Sequence, residues 1–146
     1  MDELERYLHD HIPISRALGV RVLAPGPGLV RLGAPLEPNL NHRQTAFGGS
    51  LAALAILAGW SWLHLRLGGA GFTGRIVIQH HVVDYVAPAE ADFVAACAGP
   101  TPELLARFEH TLKRRRRARL ALDVNVHVHE RLVARCRGRY VALAGS

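Results

Sequence analysis

The 146-residue chain is about one average domain long, and its 49% hydrophobic and 21% charged residues exclude a disordered segment and two independent cores. Eighteen Lys and Arg against twelve Asp and Glu give a net charge of +6, almost all of it arginine, which favours anionic partners. Two cysteines, Cys97 and Cys136, are too few for a disulfide scaffold or a four-cysteine zinc site and read as small, reduced core residues.

The opening residues, Met1-Asp-Glu-Leu-Glu-Arg, lack a basic segment followed by an apolar one, so no signal peptide is expected and a cytoplasmic protein is the default. Residues 2–11 carry Leu4, Tyr7, Leu8 and His11 at helical spacing, and Pro13 ends that helix or forces a new start. Two strands follow, 20–24 and 29–36, separated by the turn Pro25-Gly-Pro-Gly28. A polar loop from Pro38 to Thr45 leads into Gln44–Leu65, a run with no Asp, Glu, Lys or Arg. That run is long enough to span a bilayer. However, Gly48-Gly49-Ser50 opens it, His64 lies near its end, and strand-like segments flank it, so a helix enclosed by a sheet is expected and no membrane span.

Gly68-Gly-Ala-Gly71 terminates the helix, and a long strand runs from Arg75 to Val86. Period two puts Ile76, Ile78, His80, Val82 and Asp84 on one face of it, with His81 on the other; a bulge would exchange the two histidines. Residues 91–98 form the next strand. Thr101-Pro-Glu starts a helix with the stripe Leu104, Leu105, Phe108 and Leu112. Residues 117–129 alternate cleanly, and a hairpin near Glu130 leads to a last strand with Arg131, Arg135, Arg137 and Arg139 outside. The order predicts a single α+β domain over 1–146. It is the hotdog fold: an antiparallel sheet of five or six strands wrapped around one long central helix. Such an open sheet exposes its edges, and side-by-side pairing of two copies covers one of them, so a homodimer or a tetramer is expected.

Gly48 and Gly49 let a substrate carbonyl approach the start of the long helix, where unpaired N–H groups and the dipole can stabilise an oxyanion. A tight, closely packed turn explains the same pair structurally. Asn41 can orient water or hold a carbonyl, or it can simply make an Asx turn. The segment Asn41-His-Arg-Gln-Thr-Ala-Phe47-Gly48-Gly49-Ser50-Leu resembles the loop-to-helix signature of hotdog acyl-CoA thioesterases, whose phenylacetate-type branch has Asn, five residues, then His-Gly-Gly. Phe47 stands here in place of that histidine. The strand end Asp84-Tyr-Val-Ala-Pro-Ala89 is similar to the family's as well. More closely, Phe-Gly-Gly-Ser-Leu, Leu-Ala-Gly-Trp60 and Arg-Ala-Arg-Leu120 resemble the thioesterase domain at the C-terminus of bacterial YiiD proteins.

The resemblance implies an acyl thioesterase acting on an acyl-CoA or acyl-carrier-protein thioester by general-base activation of water, at a site on a dimer interface. It calls for no cofactor. The phenylacetate-type branch carries an acid on the central helix, nine residues after the motif histidine, where this chain has Ile56. His80 and Asp84 are the replacement candidates for the base, although a hydrogen-bonded polar pair lining an interface is the commoner reason for such residues. The absent acid also supports a second reading, a non-catalytic module that binds acyl chains or acyl-CoA. Phe47 and Ser50 fall at the substrate end of the motif; Ser50 reads as a structural hydroxyl, since no His–Asp pair serves it as a nucleophile.

Arg114, Arg115, Arg116 and Arg117 form the strongest charge cluster. They offset a helix dipole, grip the phosphates of coenzyme A, or form a nucleic-acid-binding face; the last is disfavoured because few aromatics interleave with them. The pairs His9/His11 and His127/His129 lack further ligands, so no metal site is expected.

Overall fold

The computed structural model describes residues 2–26 and 28–145. Its elements are α1 (Glu3–His11), α2 (Ile14–Leu18), β1 (Arg21–Ala24), β2 (Val30–Ala34), α3 (Gly48–Gly69), β3 (Gly74–Tyr85), β4 (Phe93–Cys97), α4 (Pro102–Arg115), β5 (Arg117–Val128) and β6 (Arg131–Ala144), with a single 3-10 turn at Glu37–Asn39. The strands form one antiparallel sheet in the order β1-β2-β4-β5-β6-β3. The sheet curls around α3, as the sequence predicts.

Local chemistry explains the shorter elements. Asp2 caps α1 by accepting from the Leu4 and Glu5 amides at 2.8 and 3.4 Å, while Leu4 and Leu8 are buried. Glu5 accepts from the Val22 amide at 2.8 Å and the His9 ring bonds the Val20 carbonyl at 2.8 Å, which fastens α1 to the start of β1. Pro13 does start a new helix: α2 is one short turn beyond it. Thr101 caps α4 and Pro102 opens it.

The core lies between α3 and the inner face of the sheet. Leu54, Ala55, Ala58 and Leu63 on the helix are fully buried, as are Leu32, Phe93, Val126, Val133 and Ala142 on strands. Small residues on α3 allow this close approach. At Gly59 an added Cβ would overlap the Tyr140 hydroxyl, which donates to the Ile56 carbonyl at 2.8 Å. The one helix long and apolar enough to cross a bilayer among the described residues is therefore the core helix. Both cysteines are free and buried, and burial pushes each thiol up to about 11.

Two features depart from a regular pattern. α3 is apolar on every side, yet the stripe Ala53, Ile56, Trp60 and His64 is only half-buried. β3 has a bulge: Ile78 pairs with Tyr140 and His80 with Arg139, leaving Gln79 as the extra residue. The expected face of β3 is corrected accordingly. Ile76 and Ile78 share the inner, helix-facing side with His81, Val83 and Tyr85, and His80, Val82 and Asp84 turn to the outer face.

Candidate active site at the start of the central helix

The loop before α3 is held by hydrogen bonds that converge on two asparagines. Asn39 is buried and donates to the Leu18 carbonyl at 2.9 Å and the Pro35 carbonyl at 2.8 Å, anchoring the loop to the core. Asn41 spends its whole carboxamide on its own loop. Its oxygen accepts from the Arg43 and Thr45 amides at 2.7 and 3.2 Å; its nitrogen donates to the Thr45 hydroxyl at 2.8 Å and the Ala46 carbonyl at 3.4 Å. The side chain has two donors and two acceptor sites, and all four are used. Asn41 therefore shapes the loop as an Asx turn. Ala46 then donates to the Ala89 carbonyl and Phe47 to the Asn39 carbonyl, at 2.8 and 2.7 Å, which aims the chain into α3.

Phe47 is the N-cap and supplies no side-chain acceptor. Its carbonyl accepts from the Ser50 and Leu51 amides, but the Gly48 and Gly49 amides have no acceptor among the described residues. These two N–H groups sit at the positive end of a 22-residue helix dipole. A neutral peptide end of this kind favours an anion or a polarised carbonyl. The Phe47 ring, 58% exposed, lies over Gly49, where a Cβ would press into it. Ser50 is buried in the first turn, and no histidine or carboxylate bonds it among the described residues.

Tyr85 closes the other side. Its hydroxyl donates to the Gly48 carbonyl at 2.8 Å, and its ring packs so close that a Cβ on Gly48 would stand 3.2 Å from it. Gly48, Leu51, Tyr85 and the turn through Pro88 line a recess of about 370 Å³. Further along α3, Ile56 lines a nearly wholly apolar cavity of about 240 Å³ with Ile12, Ile14, Trp60, Ile78 and Tyr140. Gly49, Ala53, Ile56 and Trp60 are spaced i, i+4, i+7, i+11, so one half-open helix face runs from the free amides to this cavity.

His81 stands on the inner face of β3 between Ile78 at the cavity and Tyr85 at the recess. Burial, and secondarily the neighbouring His80, holds its pKa below the ordinary 6.5, so the imidazole is neutral at pH 7. His80 and Asp84 lie on the opposite face, Asp84 across from Arg135. Period counting missed this arrangement because the bulge depends on the pairing with β6. Tyr85 lay within the family-like strand end Asp84–Ala89 but its contact with Gly48 had no signal there, and Asn39 had none beyond its position beside a turn.

The arginines are at the far end of the sheet. Tyr85 pairs with Ala134, which pairs with Val126, and Arg117 is nine residues from Val126, about 30 Å along the strand. Arg114 and Arg115 are exposed in the last turn of α4; Arg116 is its left-handed cap and donates to the Gly145 carbonyl. Within one protomer none of them rims the recess at Gly48. A larger cavity, about 780 Å³, is also remote: it sits at the end of α3 near Trp62, Arg66 and Pro100. Its one guanidinium is bonded to Glu109 at 3.1 Å.

The profile of a family described as "Putative thioesterase (yiiD_Cterm)" matches residues 1–144. Among solved structures, a protein of unknown function from Chlorobaculum tepidum is 30% identical, with a TM-score of 0.91 over 98% of this chain and 93% of that one. A "putative thioesterase" from Shewanella oneidensis is 28% identical, with a TM-score of 0.86 over 96% and 94%. A mutant of the phenylacetic acid degradation protein PaaI from Thermus thermophilus is 27% identical, with a TM-score of 0.66 over 90% and 98%.

Proposed function

The chain belongs to the YiiD_C thioesterase family and has the hotdog fold, and on that premise we propose that it hydrolyses an acyl-CoA or acyl-carrier-protein thioester. The observation that supports this reading is the pair of amides at Gly48 and Gly49 that have no acceptor among the described residues, beside a recess and on the same helix as an apolar cavity. The thioester carbonyl accepts from these amides, and the acyl chain lies along the Ala53–Ile56–Trp60 face. His81 takes a proton from water, whose oxygen attacks the carbonyl carbon. The developing oxyanion is held by the two N–H groups, which strengthen as the charge forms. Collapse breaks the carbon–sulfur bond, and protonated His81 returns the proton to the leaving thiolate. The products are a carboxylic acid and a free thiol.

His81 replaces His80 and Asp84 as the base in this scheme because it alone of the three faces the helix. Asn41 acts by fixing the loop, and Phe47 and Ser50 act by bounding the carbonyl site. The site is completed by a second copy. β3 is a 12-residue edge strand, and exposed Val77, Val82, Tyr85, Val86 and Phe47 cluster on or beside it. Such an edge needs a partner, and antiparallel pairing of two β3 strands supplies one. The substrate class fits a cytoplasmic enzyme.

The test is thiol release by the purified protein across short, medium, long and aromatic acyl-CoAs, with light scattering to record the oligomer. Saturable release that Gly49→Val and His81→Ala both reduce, with the dimer intact, supports the enzyme. Ile56 in its apolar cavity, where the phenylacetate-type branch has an acid, favours the second reading of an acyl-binding module. Acyl-CoA binding without release above the spontaneous rate would establish that module instead.

A further inference from the structure

The proposed thioester site leaves the strongest electrostatic feature unused. The sheet curls around α3, so alternate residues of β3, β5 and β6 point away from the helix. Arg75 on β3, Arg117 and Arg119 on β5, and Arg135, Arg137 and Arg139 on β6 are all exposed on that outer face. The only acids in these three strands are Asp84 and Asp123. Asp123 pairs with Arg137 at 2.8 Å, and the other five arginines are in no ion pair among the described residues.

Strand register sets these cations in a row. Arg119 lies opposite Val141, which makes Arg139 its diagonal neighbour, and Arg137 and Arg135 continue along β6. The path Arg117, Arg119, Arg139, Arg137, Arg135 therefore crosses the face in steps of about 7–8 Å. Like charges held in a row repel one another, and a row of anions relieves them. A nucleic-acid strand supplies such a row, one negative charge on each nucleotide. At the Arg117 end the row opens into a recess of about 430 Å³, lined by Arg117, Arg119, Val141, Gln79 and Thr111. Arg139 donates to the Gln79 carboxamide oxygen at 3.0 Å, so the amide nitrogen is left for another acceptor. Guanidiniums, an amide N–H and a hydroxyl together suit phosphate oxygens.

We propose that this face binds the phosphate backbone of double-stranded nucleic acid, without regard to base sequence. The outward positions of β3, β5 and β6 hold no Trp, Tyr or Phe. That lack counts against a stacked single strand but not against a duplex, whose bases are already stacked. Phosphates carry no sequence information, and nothing on the face is placed to read base edges. A lipid surface fits less well, because a membrane-bound face sets Trp, Phe or Leu beside its cations. The exposed apolar residues here, Val77 and Val82, are shorter than the arginines around them. The face belongs to one protomer and lies across the sheet from α3, so it stands whether or not the thioesterase reading does.

The test is fluorescence anisotropy of the full-length protein with a labelled mixed-sequence duplex of about 20 base pairs. Binding is expected to saturate, and about four phosphate contacts would make affinity fall about 10²-fold between about 50 and 200 mM salt. Arg119→Gln/Arg139→Gln removes two adjacent steps of the row at exposed positions. It should bind at least tenfold more weakly at low salt, with a salt slope shallower by about two, and each single variant should take about one from the slope. Arg6→Gln/Arg43→Gln makes the same change of charge on α1 and in the loop before α3, off the sheet, and should change little. No saturable binding, or an affinity indifferent to salt, overturns the proposal. An equal loss in both double variants makes net charge the cause and overturns the face. Tighter binding to phosphatidylserine vesicles than to the duplex, lost in Arg119→Gln/Arg139→Gln, makes the partner a membrane surface and overturns the nucleic acid.

Discussion

The two ends of α3 are built on opposite principles. At its C-terminal end the backbone turns back on itself: the Ala70 and Phe72 amides donate to the Leu67 carbonyl at 3.1 and 2.9 Å, and Arg66 in the last turn pairs with Glu109, although the buried Trp62 Nε1 has no partner among the described residues. Trp62 packs over Gly99, whose positive φ and lack of a Cβ permit the contact. At the N-terminal end the cap is a phenylalanine, two amides have no acceptor among the described residues, and an aromatic ring is more than half exposed. At an exposed helix start without a side-chain cap such amides are left to water or to a ligand. The open amides lie beside a recess, and the proposed thioester carbonyl would complete that end.

The contrast can be broken by mutation, beginning with the largest effect. His81→Ala removes the proposed base and is expected to cut thiol release by about 10²- to 10⁴-fold, whereas His80→Ala on the outer face changes it little. The pH profile sharpens this. Only the neutral imidazole accepts a proton, and its pKa lies below 6.5, so release should stay level through pH 7 and fall only in more acid solution. A fall centred above pH 6.5 would remove His81 from the role.

Gly49→Val forces the Phe47 ring aside and blocks the amides; release should drop by about 10²- to 10³-fold while the circular dichroism spectrum is kept. Gly59→Val acts in the middle of the helix, on packing alone. The added atoms collide with buried Tyr140, so urea unfolding should show a loss of about 1–3 kcal/mol. Asn41→Ala deletes the bonds that hold the loop and should cost about 1 kcal/mol of stability, with activity lowered through the displaced Gly48. Arg66→Ala at the C-terminal end breaks a half-exposed ion pair; the loss should stay below about 1 kcal/mol and thiol release should be unchanged. Release that depended on Arg66 more than on Gly49 would reverse the assignment of the two ends.

Much of this was legible in the chain. The ten helices and strands follow from capping residues, turn glycines and prolines, and apolar spacing, all of which act over a few residues. The uncharged run from Gln44 to Leu65 requires enclosure, and the surrounding strands can only provide it by wrapping. Gly48 and Gly49 mark the start of the central helix in the sequence, but free amides begin every helix, and only the folded loop shows that the Phe47 cap leaves these two without an acceptor among the described residues.

Tertiary structure decided which side chains meet there. Residue counting puts His80 on the face of Ile76 and Ile78 and His81 on the other, but one extra residue at Gln79 exchanges them, and that bulge arises only when β3 is laid against β6. Asn41 could hold water or hold its loop until Arg43, Thr45 and Ala46 are seen to occupy all its valences. The run Arg114–Arg117 declares its charge in any alignment of letters, yet its distance from Gly48 is set by strand pairing across the whole sheet. Local periodicity specifies elements and faces up to the first register shift; the site depends on pairings between residues far apart in sequence, and these exist only in the folded chain.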